Sequence, residues 1–437
     1  MIEGNDNIFE SIGNLLDNLM EGEKYETLPP RSTKDLDAPF VSNEELEALD
    51  QDIYGEKKTN EKGEANSRSI STPILEQRKR IKIEPPSPEK VAGINIVGIS
   101  GDNNRIITPS FHIILARAAI VDFRYTKGFD KPYFYKKQKD ISSVLIIDNN
   151  IFEDSHKIYT NNTLVEKGKR VPVMDAIKNF DGKPFRFRYN HESIKSSPAS
   201  HSLGLGVKLQ HTLELSTLEE IDFENKETVI CIKDGPYVSN SMVPVDVQDG
   251  LKKLLSWSDQ KRAFVAVSTK ISDSRVLLNA IKNGNEYLVE EYFKGQGVTP
   301  DVIESFGTDI LLIKKILSPG YRTPLIQYVE KTRESIFEPE EYKDLIPLTC
   351  YYHKYHKPYN FIRIEIPKFL WDQNKELAEF AISIAIWQYE LGGNSPLVIN
   401  AAVESANLSH EKFVIEQQMK AQFEKKKLEL IEFLNIS

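Results

Sequence analysis

Short apolar runs of strand length, alternating with stretches of helical period, constrain this 437-residue chain more than anything else in it. VAGINIVGI from Val91, TVICIKDG around Cys231 and AFVAVSTK around Val265 are nearly continuous apolar runs, which predict strands buried on both faces. SFHIILARAAIVDFRY and DISSVLIIDNNIF predict further strands, the first with a part-helical alternative. IPLTCYYHK and YNFIRIEIP predict an antiparallel pair. Helical periodicity covers about His211–Asp222, DVQDGLKKLLSWSDQ and SRVLLNAIKNGNEYLVEEYF. DQNKELAEFAISIAIWQYELGG ends at a glycine pair, a helix-stop signal. PLVINAAVESANLS and a long closing helix, HEKFVIEQQMKAQFEKKKLELIEFL, complete the chain. A meander-like front followed by alternating strands and helices makes a mixed α/β domain rather than a doubly wound sheet.

The first 90 residues read differently. They carry 20 acidic and 12 basic side chains, whereas the remaining 347 carry 45 and 44, so the net charge of −9 belongs almost wholly to this leader. Its polar, aperiodic segments predict poor order, with short helices at Asn7–Met20 and Ser42–Asp50. Ile8, Ile12, Leu15, Leu16 and Leu19 share one helical face, suited to docking on a partner or on the body, or else to a weakly held local helix. RKRIKIEPPSPEK reads as a solvated basic-then-proline hinge. Residues 1–90 are thus expected as an acidic leader and 91–437 as the folded domain.

Several function classes fall away. No apolar run reaches the ~18 residues that span a bilayer, and the acidic N-terminus lacks a signal-peptide pattern, so the expectation is a soluble, cytoplasmic protein. No Walker loop or GxGxxG occurs. GLGVK at 204–208 lacks P-loop spacing, and SHSLGLG lacks the nucleophile elbow of serine hydrolases. Cys231 and Cys350 sit in strand-like runs and read as buried free thiols. His353 and His356 lie near Cys350, but nothing groups the four ligands of a zinc site.

Two apolar runs end in acidic turns, INIVGI-SGD and TVICIK-DGP. Two-metal phosphodiester chemistry needs carboxylates converging from separate elements on hard cations, and an Asp exposed at a buried strand's end is suited to that task. Asp234 and Asp102 have this form, although each is equally a residue that starts a turn. Glu214, or Glu219 or Glu220, on the preceding helix could reach the same strand ends, or could simply be solvated.

The order of these segments, from about Ile94 to Leu434, resembles the NurA nuclease family, which acts with a HerA-type hexameric translocase in DNA end processing. IVGISGD occupies the place of the family's Asp-Gly-Ser turn and HTLELSTLEE that of its glutamate helix, with Glu214 the better match. CIKDGPYVS matches the Asp-Gly strand end at Asp234, and AFVAVSTKIS the Val-Ser-Lys strand, with Lys270. FIRIEIP (Arg363, Glu365, Pro367) and SPLVINAAVESANLS follow. The resemblance implies an RNase H-like core flanked by helices, manganese or magnesium, a homodimeric ring and cleavage of DNA, with Asp102, Glu214 and Asp234 as metal ligands and Lys270 stabilising charge at the phosphate. It also implies losses. The family's first aspartate falls on Ser100, its tyrosine on Ser395 and its histidine on Ala402. A two-residue slip along the strand would let Asp102 replace the first, and Glu404 or Glu365 could stand near the lost histidine. Two expectations follow: an active deoxyribonuclease with a shifted ligand set, or a degenerate subunit that clamps DNA and docks the translocase without cutting.

YYHKYHKPYNFIR interleaves basic and aromatic residues, as a single-strand-binding surface does, but strand alternation accounts for it equally. Lys252, Lys253, Lys261 and Arg262 could line a DNA groove. The closing helix carries an apolar stripe (Phe413, Ile415, Met419, Phe423, Leu428, Leu430) interrupted by lysines at 425–427, suited to packing on the body or on another subunit.

Overall fold

In a computed structural model the described residues are 81–107, 111–125, 134–148, 158–160, 163–165, 198–221, 228–238, 244–257, 261–282, 303, 305–329, 331–355, 360–410, 412–414 and 416–417. The leader helices and most of the closing helix fall outside them, as do Ile415, Met419, Phe423, Leu428 and Leu430.

The strands are β1 (Ile81–Lys82), β2 (Asn95–Ile107), β3 (Phe111–Arg124), β4 (Phe134–Asp148), β5 (Ile158–Thr160), β6 (Thr163–Val165), β7 (Val229–Asp234), β8 (Arg262–Ser268), β9 (Tyr321–Arg322), β10 (Ile326–Gln327), β11 (Pro347–His353) and β12 (Phe361–Pro367). They form one sheet in the order β1-β9-β11-β12-β8-β7-β2-β3-β4-β5-β6, with β10 beside β11. β2, β3 and β4 are an antiparallel meander. β7 and β8 then run parallel to β2, and β12 returns antiparallel on β8. An antiparallel meander joined through its first strand to a parallel pair is an RNase H-like mixed sheet, and helices cover it on both sides. β7 and β8 are buried along nearly their whole length, as strands at the centre of a doubly covered sheet must be.

After a single helical turn at Pro88–Val91, the helices are α1 (Pro198–Ser216), α2 (Pro244–Leu255), α3 (Val276–Lys282), α4 (Asp309–Ile316), α5 (Lys331–Phe337), α6 (Lys368–Gln373), α7 (Lys375–Gly392) and α8 (Leu397–Ala406). α1 crosses β2 and β3 with α2 against it, while α8 lies along β2 and β3 and α7 packs beside it on β8. Side chains alternate across a strand. Gly98 lies under Val398 of α8, and Gly101 lies against Gln210 and Glu214 of α1, so these helices take opposite faces of β2.

Several sequence expectations need correction. SGDNNR is no turn: β2 continues through it to Ile107, each residue from Asn95 onward paired with β3. A thirteen-residue ladder outweighs the turn preference of an Asp-Asn pair. SFHIILARAAIVDFRY contains strand with no helical part among its described residues. α1 begins at Pro198, thirteen residues before the expected start. Glycine is a poor helix former, yet a Cβ on Gly206 would sit 2.9 Å from Asn103 Oδ1, so glycine there lets the helix lie close on the sheet. The basic hinge is partly strand, since Ile81 and Lys82 pair with Arg322 and Tyr321 on the sheet's edge.

Candidate carboxylate centre

The candidate site lies where β7 stops and β2 runs on. Their pairing ends at Ile99 with Lys233, so beyond it β2 keeps a partner only in β3. Three side chains flank this step, Ser100 and Asp234 on the face of α8 and Glu214 on the face of α1. Ser100 Oγ donates to Asp234 Oδ2 at 3.1 Å. Glu214, two residues before the end of α1, comes in under Gly101, where any Cβ would lie 2.8 Å from its Oε1. Asp234 and Glu214 are near enough for the charge of one to act on the other.

Glu214 is fully committed. Gln210 Nε2 donates to its Oε1 at 2.8 Å. Its Oε2 receives Lys233 Nζ at 2.6 Å and His211 Nδ1 at 2.9 Å. Burial alone would raise its pKa, but Lys233 and His211 outweigh burial and bring it down to about 2. An ionised carboxylate only accepts, so Nδ1 of His211 carries the shared proton. Asp234 moves the other way. Burial and then the Glu214 charge raise its pKa, against the opposing pull of Lys233, Ser100 and the Gly235 N–H.

Asp102 stands apart. It faces α8, two residues beyond Ser100 on the same side of β2, a step of roughly 6.5–7 Å. Its Oδ2 accepts from Leu408 N at 2.8 Å and Asn104 Nδ2 at 3.4 Å, so it holds the chain after α8. Lys270 is exposed, three residues past Val267, the partner of Asp234 in β8. No ion pair among the described residues joins it to either carboxylate. The side chains of Glu219 and Glu220 lie outside the described residues.

Of the two proposed replacements, one is exposed and the other is engaged elsewhere. Glu404 is exposed on α8. Glu365 is buried on β12, where its Oε2 accepts from Tyr237 N at 2.7 Å and pins the turn after Asp234. Ala402 is buried one turn beyond Val398 on α8, and Ser395 precedes that helix. A hydroxyl, an alanine and the carboxylates of Asp102, Glu214 and Glu365, each bonded within the chain, are a poor donor set for two hard cations, which need several free oxygens. No group of three His, Cys, Asp or Glu able to hold a metal ion occurs among the described residues. The residues present therefore do not fit a two-metal centre.

The basic-aromatic run is largely interior. Tyr351, Tyr352, His353 and Lys354 are buried. Lys354 Nζ donates to the carbonyls of Tyr389 and Gly393 at the end of α7, and His353 Nδ1 lies 2.9 Å from Leu317 O. His356 lies outside the described residues. Arg262 is buried, its guanidinium 6.0 Å from the centre of the Trp257 ring, whereas Lys252 and Lys261 are exposed. Cys231 and Cys350 are buried free thiols. No described helix is long and apolar enough to cross a membrane.

Reading from the sequence missed Lys233, His211 and Gln210. The signals were present: His211 and Gln210 stand three and four residues before Glu214, one helical turn away. A lysine inside a buried strand must find a partner, because an isolated buried charge is too costly.

No family model and no curated protein matches the chain. Among solved structures, it is similar to the NurA nuclease from Sulfolobus solfataricus, 9% identical with TM-score 0.41, over 82% of this chain and 88% of that one. It is also similar to NurA with manganese, 8% identical with TM-score 0.32, over 95% and 98%. A third similar structure is NurA bound to dAMP and manganese, 9% identical with TM-score 0.30, over 96% and 98%. No residue's role follows from likenesses this distant.

Proposed function

We propose that this chain is a degenerate NurA-like subunit, which clamps DNA beside a HerA-type translocase and does not itself cut. The observation that carries this reading is the state of the centre. Ser100 stands where the motif resemblance puts the first aspartate, and both oxygens of Glu214 are already bonded within the chain. Asp234, its pKa raised by burial and then by the Glu214 charge, is the remaining carboxylate of the pair. Homodimerisation and the translocase partnership rest on the order of motifs alone. The DNA surface would lie on the exposed lysines Lys252, Lys261 and Lys270.

The second reading is an active nuclease with a shifted ligand set. It is favoured by Asp234 and Glu214 lying near enough for the charge of one to act on the other at a strand end. One experiment separates the two. Purified full-length chain is incubated with linear single- and double-stranded DNA in Mn2+ or Mg2+, beside Asp234→Ala. The degenerate reading expects no cleavage above the Asp234→Ala background, together with DNA binding in a gel-shift assay. Cleavage that disappears in Asp234→Ala establishes the active reading instead.

A further inference from the structure

Lys233 does more at this centre than neutralise a charge. Its ammonium has three protons to donate, and the fold supplies three oxygens for them. They are Glu214 Oε2 at 2.6 Å, the Asp234 carbonyl at 2.7 Å and the Pro236 carbonyl at 3.2 Å. Lys233 and Glu214 are each 1% exposed. The stem emerges from β7 at the centre of the sheet, so its position is set by the β2 and β8 ladders. The turn it wraps is fixed from the far side by Gly235 N donating to Val267 O and Tyr237 N donating to Glu365. An inward-facing carboxylate and two carbonyls converging on one point are oxygen ligands of the kind hard divalent cations take. Here that point holds a tethered ammonium.

We propose that Lys233 is the resident cation of this centre and that it shuts out a divalent ion that Glu214 and the Asp234–Pro236 turn would otherwise bind. This rests on the degenerate reading and adds a cause to it. Beyond lacking ligands, the centre is filled by a positive charge that cannot dissociate. A divalent ion on the same Glu214 oxygen would face that ammonium at close range in a site from which water is excluded, where repulsion between like charges is poorly screened.

The test uses the full-length chain and Mn2+ alone as the probe. Binding is read from the loss of the free-ion electron paramagnetic resonance signal, and stability from thermal melts in EDTA and in Mn2+. The wild type is expected to bind Mn2+ at least tenfold more weakly than Lys233→Met, with a melting temperature unaffected by the metal. Lys233→Met is expected to melt early in EDTA and to recover in Mn2+. The double variant Glu214→Gln with Lys233→Met should lose that recovery. If Lys233→Met does not fold in EDTA, a cooperative melt on adding Mn2+ is the same positive result. Failure to fold in either condition, or a folded variant that binds no Mn2+, overturns the proposal. So does tight Mn2+ binding by the wild type that Glu214→Gln abolishes. A wild type that binds Mn2+ in this way and still leaves DNA intact sinks only the resident-cation idea. Cleavage by a wild type that survives Glu214→Gln sinks only the degenerate reading.

Discussion

At the scale of single residues, Glu214 and Asp234 respond to pH in opposite senses. Glu214 titrates at about 2 in the fold, below the ordinary 4.5. Its ion pair therefore stabilises the protein fully above the ordinary value, and that contribution is lost as pH falls towards 2. Asp234 is raised above 3.8. Its contribution is fully present below 3.8 and lost as pH rises through the raised value, because ionisation puts a charge in a buried position and, secondly, a negative charge near that of Glu214. Asp234→Asn should therefore raise the melting temperature near pH 7, with the gap closing below pH 3.8. A variant no more stable than the wild type at neutral pH counts against the coupling. Glu214→Gln should cost about 3–5 kcal/mol in urea unfolding, because it strands the Lys233 ammonium in the interior; a loss under ~1 kcal/mol would mean that water reaches the ammonium. Asp234 and Glu214 were legible in the sequence as an acid after a buried strand and an acid on the preceding helix. Asp102 carried the same turn signal as Asp234 but sits inside a continuous ladder. What differs is strand length: β7 ends at Asp234, and β2 does not end at Asp102.

At the scale of elements, the centre depends on how closely α1 approaches β2. Gly101 sets that spacing, with Gln210 Cγ, Glu214 Oε1 and the Arg117 carbonyl all between 2.7 and 2.9 Å of where a Cβ would stand. Gly101→Ala must push α1 outward or bend the strand, and overpacking of this kind costs about 1–3 kcal/mol. The urea midpoint should fall with an unchanged slope, since the same surface is exposed on unfolding. An unchanged midpoint would mean that the helix floats free of the sheet. Most strands and the glycine stop of α7 were readable from apolar runs and punctuation. The start of α1 was not, because local propensity counts Gly204 and Gly206 against a helix. The benefit of Gly206 lies across the chain, at Asn103 and Ile114. The same limit applied to Lys354. Its neighbours in sequence suggest a strand facing DNA, while its partners, the carbonyls at the end of α7, are 35 and 39 residues away.

At the scale of the molecule, charge is divided unevenly between the leader and the body. Residues 1–80 hold 18 acidic and 10 basic side chains, while the chain from 91 onward is nearly neutral, with 45 acidic and 44 basic. Strand order could not be read from the runs themselves, since any apolar strand can pair with another. The charge asymmetry could, because it needs only counting. A tethered acidic segment competes with DNA phosphates for the same lysines, and tethering keeps its local concentration high. Under the DNA-clamping reading, a chain beginning at Ile81 keeps β1 and its pairing with β9 but loses the competitor. It should bind a fluorescent linear duplex more tightly than the full chain, by about tenfold at low salt, in an anisotropy titration. The advantage should shrink as salt rises, because screening weakens the leader's hold and the phosphate contacts together. Equal affinities at low salt would show that the acidic residues of the leader do not reach the DNA surface, and would leave their charge serving some other contact.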